Sequence, residues 1–459
     1  MNQKSIIVTS LVVAAAHSFA AQNVVVYATV GQTCPGSGTS TVASLNSAFC
    51  GANSKVGFTG NLSPSDNFIF FDNSIIWKNS SSTFGVLSGA ESTMGVSDSG
   101  KFIYSPSVDG NDAVVGNLGS ILKKTDPIPD QPTIFSSFNS RPQMSANGTA
   151  YWVGGYANTA TGSTVGRILM KQSPSGTVTS IFKSFDTVLG ISLNSIGIGF
   201  EFGISDNGNN YITVLKDGGA ETVNDNLVIN QTTAINEATA LGGGELFTSG
   251  AGPWRFPSIN DSGRWATFTG TNLSSRVIYT DSGIKLRTLQ VLDGVTLTNS
   301  DRGLDINNAG IICHLWNAVS TSALFIGSID HLDASRLIAK SGDQIDTNGD
   351  FIADATLTSI EGSSTIGPSI TIDGTNSVYA RIKYVDNVTS TARESVVRFT
   401  TKLGDVDRDG EVGSNDFDTV VAAFGTTPTE TGWQSHADQD FDGEIGAGDF
   451  DIVVANFGN

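Results

Sequence analysis

The chain has 459 residues, a net charge of −19 and a composition rich in glycine and small polar residues. That length is sufficient for a large core and for two or more folding units. The acidic balance excludes the basic surface that nucleic-acid binding requires. Residues 403–459 hold ten Asp, three Glu and one Arg, a net of 12 negative charges. Most of the imbalance therefore lies in the last segment of the chain, where it favours cation binding.

The first residues predict a secretory signal peptide. Met1–Lys4 is short and polar, Ser5–Ala16 is apolar but too short to span a bilayer, and Ser18–Ala20 offers small residues for cleavage. We therefore predict a signal peptide over residues 1–20 and a secreted or cell-surface protein. A membrane anchor is the alternative, although it would need about 20 apolar residues. No later stretch is long and apolar enough to predict a transmembrane segment.

Two of the three cysteines predict a disulfide. Cys34 and Cys50 flank a loop rich in Gly, Ser and Thr. In an oxidising compartment such a pair is expected to form a bridge. Cys313 lies in an apolar run and is expected to be a buried free thiol.

A short phrase recurs between residues 21 and 400. In it an apolar residue precedes Asn or Asp and then a glycine, and aromatic or β-branched residues follow. The glycine supplies the positive φ of a tight turn, and the residues after it favour a strand. The copies begin at Val96, Met144, Ile204, Ile259, Ile306 and Ile370, and Leu62–Phe71 is a candidate seventh copy.

The spacing of the copies predicts the fold. They begin 47 to 64 residues apart, and two or three more strand-like runs follow each one. Roughly four strands per repeat at this period are typical of β-propeller blades. We predict a mainly β protein with a propeller of six or seven blades over residues 21–400, its ring closed by Asn23–Val30 against the last blade. A tandem of β-sandwiches and a solenoid are the alternatives.

The repeated phrase also resembles repeats of secreted bacterial proteins, those of planctomycete type especially. In those proteins a phrase like Ala339–Asp343 lies between the copies. The resemblance implies a fold and carries no activity.

Residues 403–459 contain one twelve-residue pattern twice, beginning at Asp405 and at Asp438. Each copy has Asp at positions one, three, five and twelve and Gly at position six, which is the spacing of a calcium-binding loop. Position seven ligates through its backbone carbonyl. The sequence therefore predicts two Ca²⁺ ions, held by Asp405, Asp407, Asp409, Glu411 and Asp416 and by Asp438, Asp440, Asp442, Glu444 and Asp449.

A short helix is predicted after each loop, because apolar residues recur there at i, i+3, i+4 and i+7. The two stripes are expected to pack on each other as the small core of the segment. They consist of Phe417, Val420, Val421 and Phe424 and of Phe450, Val453, Val454 and Phe457.

Duplicated loops, Asp at position twelve and a helix only after each loop resemble the type I dockerin family over residues 403–459. The resemblance implies a small α-helical calcium-binding module that contacts a cohesin-like partner through loop positions ten and eleven. These positions are Ser414, Asn415, Ala447 and Gly448. Because the second pair departs from the usual hydroxyl or aliphatic residues, a different cell-envelope protein and an intramolecular contact are alternatives.

The sequence has no zinc-hydrolase motif, nucleophile elbow, P-loop or dinucleotide fingerprint. His314 is expected to be structural and His436 exposed. We predict a secreted calcium-binding protein whose body binds or displays a ligand, such as a glycan, while the tail mediates attachment. The alternative is a glycoside hydrolase acting on polysaccharide, because dockerins accompany such modules and hydrolysis needs only two carboxylates. The sequence identifies no catalytic pair, although Glu201, Asp206, Asp261 and Asp305 lie near the repeated turns.

Overall fold

The computed structural model describes residues 22–459 except 47–48, 51–54, 82–86, 89–93, 118, 138–141, 161, 220–223, 248–253, 319–320, 351 and 362–369. The predicted signal peptide, residues 1–20, lies outside the described residues. Among the residues that are described, no helix combines the length and apolar character needed to cross a membrane.

Among the described residues, seven mainly antiparallel sheets of four or more strands follow one another, which confirms a β-propeller and gives seven as its blade number. Strand β1 is Gln22–Thr29. The first blade contains β2 (Val42–Leu45), β3 (Phe49–Cys50), β4 (Val56–Leu62), β5 (Asp66–Phe71) and β6 (Ser74–Lys78). The second contains β7 (Leu87–Ser88), β8 (Met94–Val96), β9 (Phe102–Tyr104), β10 (Ser107–Val108), β11 (Asn111–Gly116) and β12 (Gly119–Lys123).

The third blade contains β13 (Ile134–Ser137), β14 (Gln143–Met144), β15 (Ala150–Ala157), β16 (Gly166–Gln172) and β17 (Val178–Lys183). The fourth contains β18 (Thr187–Val188), β19 (Ile191–Ile204), β20 (Tyr211–Asp217), β21 (Asp225–Ile229) and β22 (Thr233–Asn236). A small hairpin, β23 (Ala240–Gly242) and β24 (Glu245–Leu246), precedes the fifth blade, which contains β25 (Arg255–Ile259), β26 (Trp265–Thr269), β27 (Val277–Thr280) and β28 (Gly283–Arg287).

A second small hairpin, β29 (Val291–Leu292) and β30 (Val295–Thr296), precedes the sixth blade. That blade contains β31 (Ser300–Ile306), β32 (Ile311–Ala318), β33 (Thr321–Ser328) and β34 (Arg336–Lys340). The seventh contains β35 (Gln344–Asp346), β36 (Ala355–Glu361), β37 (Ile370–Ile372), β38 (Val378–Asp386) and β39 (Ala392–Phe399). The tail has two helices, α1 (Ser414–Ala423) and α2 (Ala447–Asn456).

The first strand completes the last blade. β1 pairs antiparallel with β39, with Val24 opposite Phe399 and Val26 opposite Val397. The prediction that residues 23–30 close the ring is therefore confirmed. Closure by the N-terminal strand leaves β1 paired on both sides, because its other edge meets β35 in parallel.

The core of the body lies between neighbouring blades. Seven apolar clusters each combine side chains of two adjacent blades, and the cluster that joins the first and seventh blades contains Phe58 and Tyr379. Each blade therefore buries both of its faces, as a closed ring requires. His314 is buried in the sixth blade, where its Nδ1 accepts a hydrogen bond from Trp316 Nε1 at 2.9 Å, in keeping with a structural role.

Cys34 lies in the same cluster as Phe58 and Tyr379 and is a free, buried thiol. The predicted Cys34–Cys50 disulfide stays a prediction, because it also depends on Cys50. The side chain of Cys50 lies outside the described residues. The loop sequence suggested a surface staple, whereas packing between two blades removes Cys34 from solvent and raises the pKa of its thiol. Cys313 is a buried free thiol, as predicted.

The repeated phrase forms the turn between the first two long strands of each blade. In it a polar side chain accepts the backbone N–H of a residue four or five positions later, which closes the turn. The acceptors are Ser97, Ser145, Ser205, Asn260, Asn307 and Asp373. Leu62–Phe71 spans the corresponding β4–β5 turn of the first blade, which confirms it as the seventh copy by position.

The register of the last copy differs from the prediction. The sequence alignment began that copy at Ile370, but the turn begins after Ile372, where Asp373 takes the polar position. Asn376, with φ of 63°, then occupies the place that glycine holds in the five copies that begin at Val96 to Ile306. Asn tolerates the left-handed region better than most residues, so the turn survives without glycine.

The tail packs as a small unit around α1 and α2. The rings of Phe417 and Phe450 lie 4.8 Å apart between centroids, above a core that includes Val420 and Val453. The second half of each predicted stripe does not enter this core. Phe424 and Phe457 follow the helix ends at Ala423 and Asn456, whereas Val421 and Val454 lie within the helices and face solvent. Four stripe residues consequently stay about half exposed, namely Val421, Phe424, Val454 and Phe457.

Candidate functional site

The two acidic loops of the tail each gather three carboxylates. One carboxylate oxygen from each of Asp405, Asp407 and Asp416 lies within 4.8 Å of the others. Asp438, Asp440 and Asp449 do the same in the second loop. These are positions one, three and twelve of the predicted calcium pattern, brought together by the curl of the loop.

Glycine at position six makes the curl possible. Gly410 and Gly443 have φ of 91° and 83°, a region that residues with a Cβ avoid. The N–H of Gly410 donates to Asp405 Oδ2 at 3.1 Å, and that of Gly443 donates to Asp438 Oδ2 at 3.1 Å. These bonds fix one oxygen of the first carboxylate in each loop.

Position twelve ties the end of each loop to its beginning. Asp416 Oδ1 accepts the N–H groups of Val406 at 2.6 Å and Asp407 at 3.0 Å, and Oδ2 accepts that of Gly413 at 2.8 Å. Asp449 repeats this arrangement with the equivalent backbone groups. Aspartate, which is shorter than the usual glutamate, thus closes the loop because its carboxylate accepts backbone N–H groups directly.

Positions five and seven lie outside the tight carboxylate groups. Asp409 and Asp442 are exposed, and each accepts the backbone N–H of the residue two positions later at 2.9 Å. The side chains of Glu411 and Glu444 are also exposed. Ligation by these four residues stays a prediction.

Each loop contains a buried carboxylate oxygen with no hydrogen-bond donor, Oδ1 of Asp405 and Oδ1 of Asp438. Burial, followed by repulsion from Asp416, raises the pKa of Asp405 to about 6. Burial, followed by repulsion from Asp449, raises the pKa of Asp438 to about 7. A buried acceptor without a donor is costly. Convergent oxygens with uncompensated negative charge fit a hard divalent cation such as Ca²⁺.

All four residues at loop positions ten and eleven are exposed, namely Ser414, Asn415, Ala447 and Gly448. They lie on the first turns of α1 and α2, on a module that also exposes the apolar side chains of Phe424 and Phe457. The predicted contact residues are therefore accessible to another protein, while cohesin recognition itself stays a prediction.

The expectation that His436 is exposed is wrong. Its side chain is buried, and its Nε2 lies 3.1 Å from Asp293 Oδ2 in the hairpin before the sixth blade. Sequence reasoning missed this contact because Asp293 is 143 positions earlier in the chain and belongs to no recognisable motif. Only the fold brings the two residues together.

A second acidic cluster lies on the ring of repeated turns. Asn308 Nδ2 donates to Asp206 Oδ2 at 2.8 Å and to Asp261 Oδ2 at 3.0 Å, so three blades meet at one amide. Burial raises the pKa of Asp206 to about 7, with repulsion from Asp305 and Asp261 adding to the effect. Burial also raises the pKa of Asp305 to about 6.

The remaining carboxylates near the turns have different roles. Asp305 accepts Ser258 Oγ at 2.8 Å and the N–H of Ile372 at 3.1 Å, and so links three consecutive blades. Glu201 lies on β19, away from the turn, and acts electrostatically on Arg255. Of the four carboxylates considered from the sequence, Asp206 and Asp261 therefore share one donor, the side-chain amide of Asn308.

No family model and no curated protein sequence matches the chain. Among solved structures, the chain is similar to hydrazine synthase of Kuenenia stuttgartiensis, at 11% identity and a TM-score of 0.41 over 79% of this chain and 98% of that one. Prolyl oligopeptidase B from Galerina marginata matches at 10% identity and 0.40 over 79% of this chain, and the match spans 52% of that enzyme. The WD40 β-propeller domain of Doa1 matches at 9% and 0.36, over 82% and 96% of the two chains.

Proposed function

We propose that this is a secreted calcium-binding protein in which a seven-bladed body binds or displays a ligand and the tail serves as an attachment module. The observation that carries the calcium proposal is the pair of buried, donorless oxygens on Asp405 and Asp438. Each belongs to a loop whose spacing is that of a calcium-binding loop. The two loops repeat this feature at equivalent positions, which supports a common ligand.

Asp405, Asp407 and Asp416 would hold the first ion, and Asp438, Asp440 and Asp449 the second. Asp409, Asp442 and the carbonyls of Glu411 and Glu444 would complete the two shells. Calcium supplies positive charge that offsets the repulsion among these carboxylates. The chain itself supplies the turn at glycine and the backbone donors that orient Asp416 and Asp449.

For attachment, we propose a cohesin-like or other cell-envelope protein as the partner of the exposed helix starts. Ser414, Asn415, Ala447 and Gly448 offer small side chains there, which allow close approach of another surface. The half-exposed rings of Phe424 and Phe457 offer apolar area to the same kind of contact. An exposed helix start and an exposed phenylalanine ring accompany each loop, so the module presents two similar surfaces.

Calcium titration of the full chain by calorimetry tests the proposal. We expect two ions per chain, and none in the double variant Asp405→Ala/Asp438→Ala. The matched control is Asp418→Ala/Asp451→Ala, which removes the same charge from equivalent exposed positions on α1 and α2. Loss of binding in the control as well would show non-specific attraction by net charge and would refute the assignment of the loops.

Glycan hydrolysis is a second candidate function, favoured by the pair Asp206 and Asp261. A pKa near 7 suits Asp206 to proton donation, while its neighbour would act as the second carboxylate. The test is reducing-end release from a panel of polysaccharides by the wild type, Asp206→Asn and Asp261→Asn. Activity that both amide variants abolish would support an enzyme, and activity that both retain would exclude this pair.

A further inference from the structure

The side chain at position four of each calcium loop contacts the propeller. These residues are Arg408 and Phe441, and each lies between two predicted ligands in the sequence. Both have positive φ, 62° and 63°, so the loop backbone projects them away from the carboxylate groups. They reach the outer strand of the sixth blade, β34.

Arg408 joins the two units through hydrogen bonds. Its guanidinium donates to the backbone oxygens of Leu337 and of Ile338, the latter at 3.2 Å. It also lies 2.8 Å from His436 Nδ1. Because a guanidinium only donates, Nδ1 is the acceptor and the ring proton is on Nε2, which points to Asp293.

Asp293 belongs to the propeller and completes this chain of contacts. Its Oδ2 accepts the N–H of Leu337 at 3.0 Å as well as the His436 proton. One carboxylate oxygen thus connects the hairpin β29–β30, the blade strand β34 and the tail. A lost partner would leave buried polar groups unpaired, which is costly.

Phe441 makes the apolar half of the contact. Its side chain is 7% exposed and belongs to the cluster formed by the sixth and seventh blades. The guanidinium of Arg336, itself buried, lies 4.5 Å from the centre of the ring. Next to it, a Cβ added to Gly443 would lie 2.8 Å from His331 Nδ1, so the second loop is packed directly on the body.

We propose that the sixth blade is the docking surface of the tail module and that docking and calcium binding are thermodynamically coupled. This inference rests on the proposed calcium function. The curl of each loop sets the direction of the side chain at position four. The same curl places the proposed calcium ligands at positions three and five. An ion that orders the loop therefore favours docking, and docking raises the affinity for the ion by the same factor.

Calcium titration of the full chain, combined with hydrogen exchange, tests the coupling. In the wild type, calcium is expected to protect the amides of β34 and of the hairpin β29–β30. Phe441→Ala should weaken calcium binding on the order of tenfold and abolish that protection. Val454→Ala, in the same module but 50% exposed, is the matched control and should change neither.

A variant in the propeller separates coupling from damage to the loop. Asp293→Asn preserves the positive φ of its turn, because Asn adopts that conformation readily, but removes the charge that His436 contacts. We expect calcium affinity to fall several-fold although no loop residue has changed. The variant also covers the case in which Phe441→Ala fails to fold.

The outcomes distinguish the two proposals. A wild type that binds no calcium would refute the proposed function. A wild type that binds two ions while Phe441→Ala and Asp293→Asn bind them equally well would refute the coupling alone. Weakened binding in both variants, with the Val454→Ala control unchanged, would support it.

Discussion

Replacing Asp438 by asparagine should have opposite effects with and without calcium. Asp438 is 2% exposed, its Oδ1 has no donor, and its pKa is raised to about 7. Its usual value is near 3.9, so the carboxylate is disfavoured by roughly 3 pKa units, an upper limit of about 4 kcal/mol. Solvent screening reduces this figure, and we expect a gain of about 2 kcal/mol in the free energy of unfolding.

In chelator at pH 8, Asp438→Asn should therefore stabilise the module, because the amide removes a charge and can donate to the neighbouring carboxylates. In saturating calcium the same variant should be less stable than the wild type. The lost charge lowers the affinity of the second loop for calcium. Bound calcium then stabilises the folded module less, because this stabilisation grows with the logarithm of the calcium concentration divided by Kd.

Hydrogen exchange of α2 in the full chain measures both effects as changes in protection. Asp451→Asn, an exposed residue of the same helix, is the control and should change protection little in either condition. Equal loss of protection for Asp438→Asn with and without calcium would mean that the carboxylate is only a structural acceptor. That result would refute the reasoning from its donorless oxygen.

Three further predictions concern the body. The folded-state pKa of Asp206 is raised to about 7, so the free energy of unfolding falls as pH rises from about 4 to 7. Asp206→Asn should recover on the order of 1–3 kcal/mol of this free energy at pH 8 but nothing at pH 4. Denaturant unfolding at the two pH values checks this, and a gain of equal size at pH 4 would contradict it. Asn376→Ala should lower the free energy of unfolding by about 1–2 kcal/mol and Asn376→Gly by less, because only alanine is strained at φ of 63°. Equal thermal unfolding of the two variants would exclude backbone strain as the cause. Val24→Ala, in the strand that closes the ring, should cost about 2 kcal/mol in the same assay, whereas Val25→Ala, 38% exposed on the other face, should cost little. Similar losses for both valines would show that the two faces of β1 are not packed as described.

The repeated turn was readable in the sequence because its determinants are local. A polar acceptor, a residue with positive φ and a following strand occupy about five consecutive positions, so the spacing of the copies predicted the blades. The strand-like run Asn23–Val30 predicted the closure of the ring. The copy after Ile372 was misread by two residues, because asparagine replaces glycine at Asn376. There the hydrogen bonds of Asp373 set the register.

The two acidic loops were also visible for a local reason, since all the carboxylates of each loop lie within twelve residues. The disulfide between Cys34 and Cys50 was predicted from composition and stays a prediction, because the side chain of Cys50 lies outside the described residues. The burial of Cys34 between the first and seventh blades was not predictable locally, because the residues of the seventh blade are more than 300 positions away in the chain.

By itself, the sequence determined the mainly β architecture, the period of the blades and the position of two acidic loops. These follow from residue types repeated at short range, where backbone preference and alternation act. The tertiary structure alone decided that Arg408, Phe441 and His436 meet β34 and the hairpin of Asp293, and that Asp206 and Asp261 share the amide of Asn308. Such contacts depend on how the blades are arranged around the ring. That arrangement results from packing at all seven interfaces between blades, and no single segment of the sequence determines it.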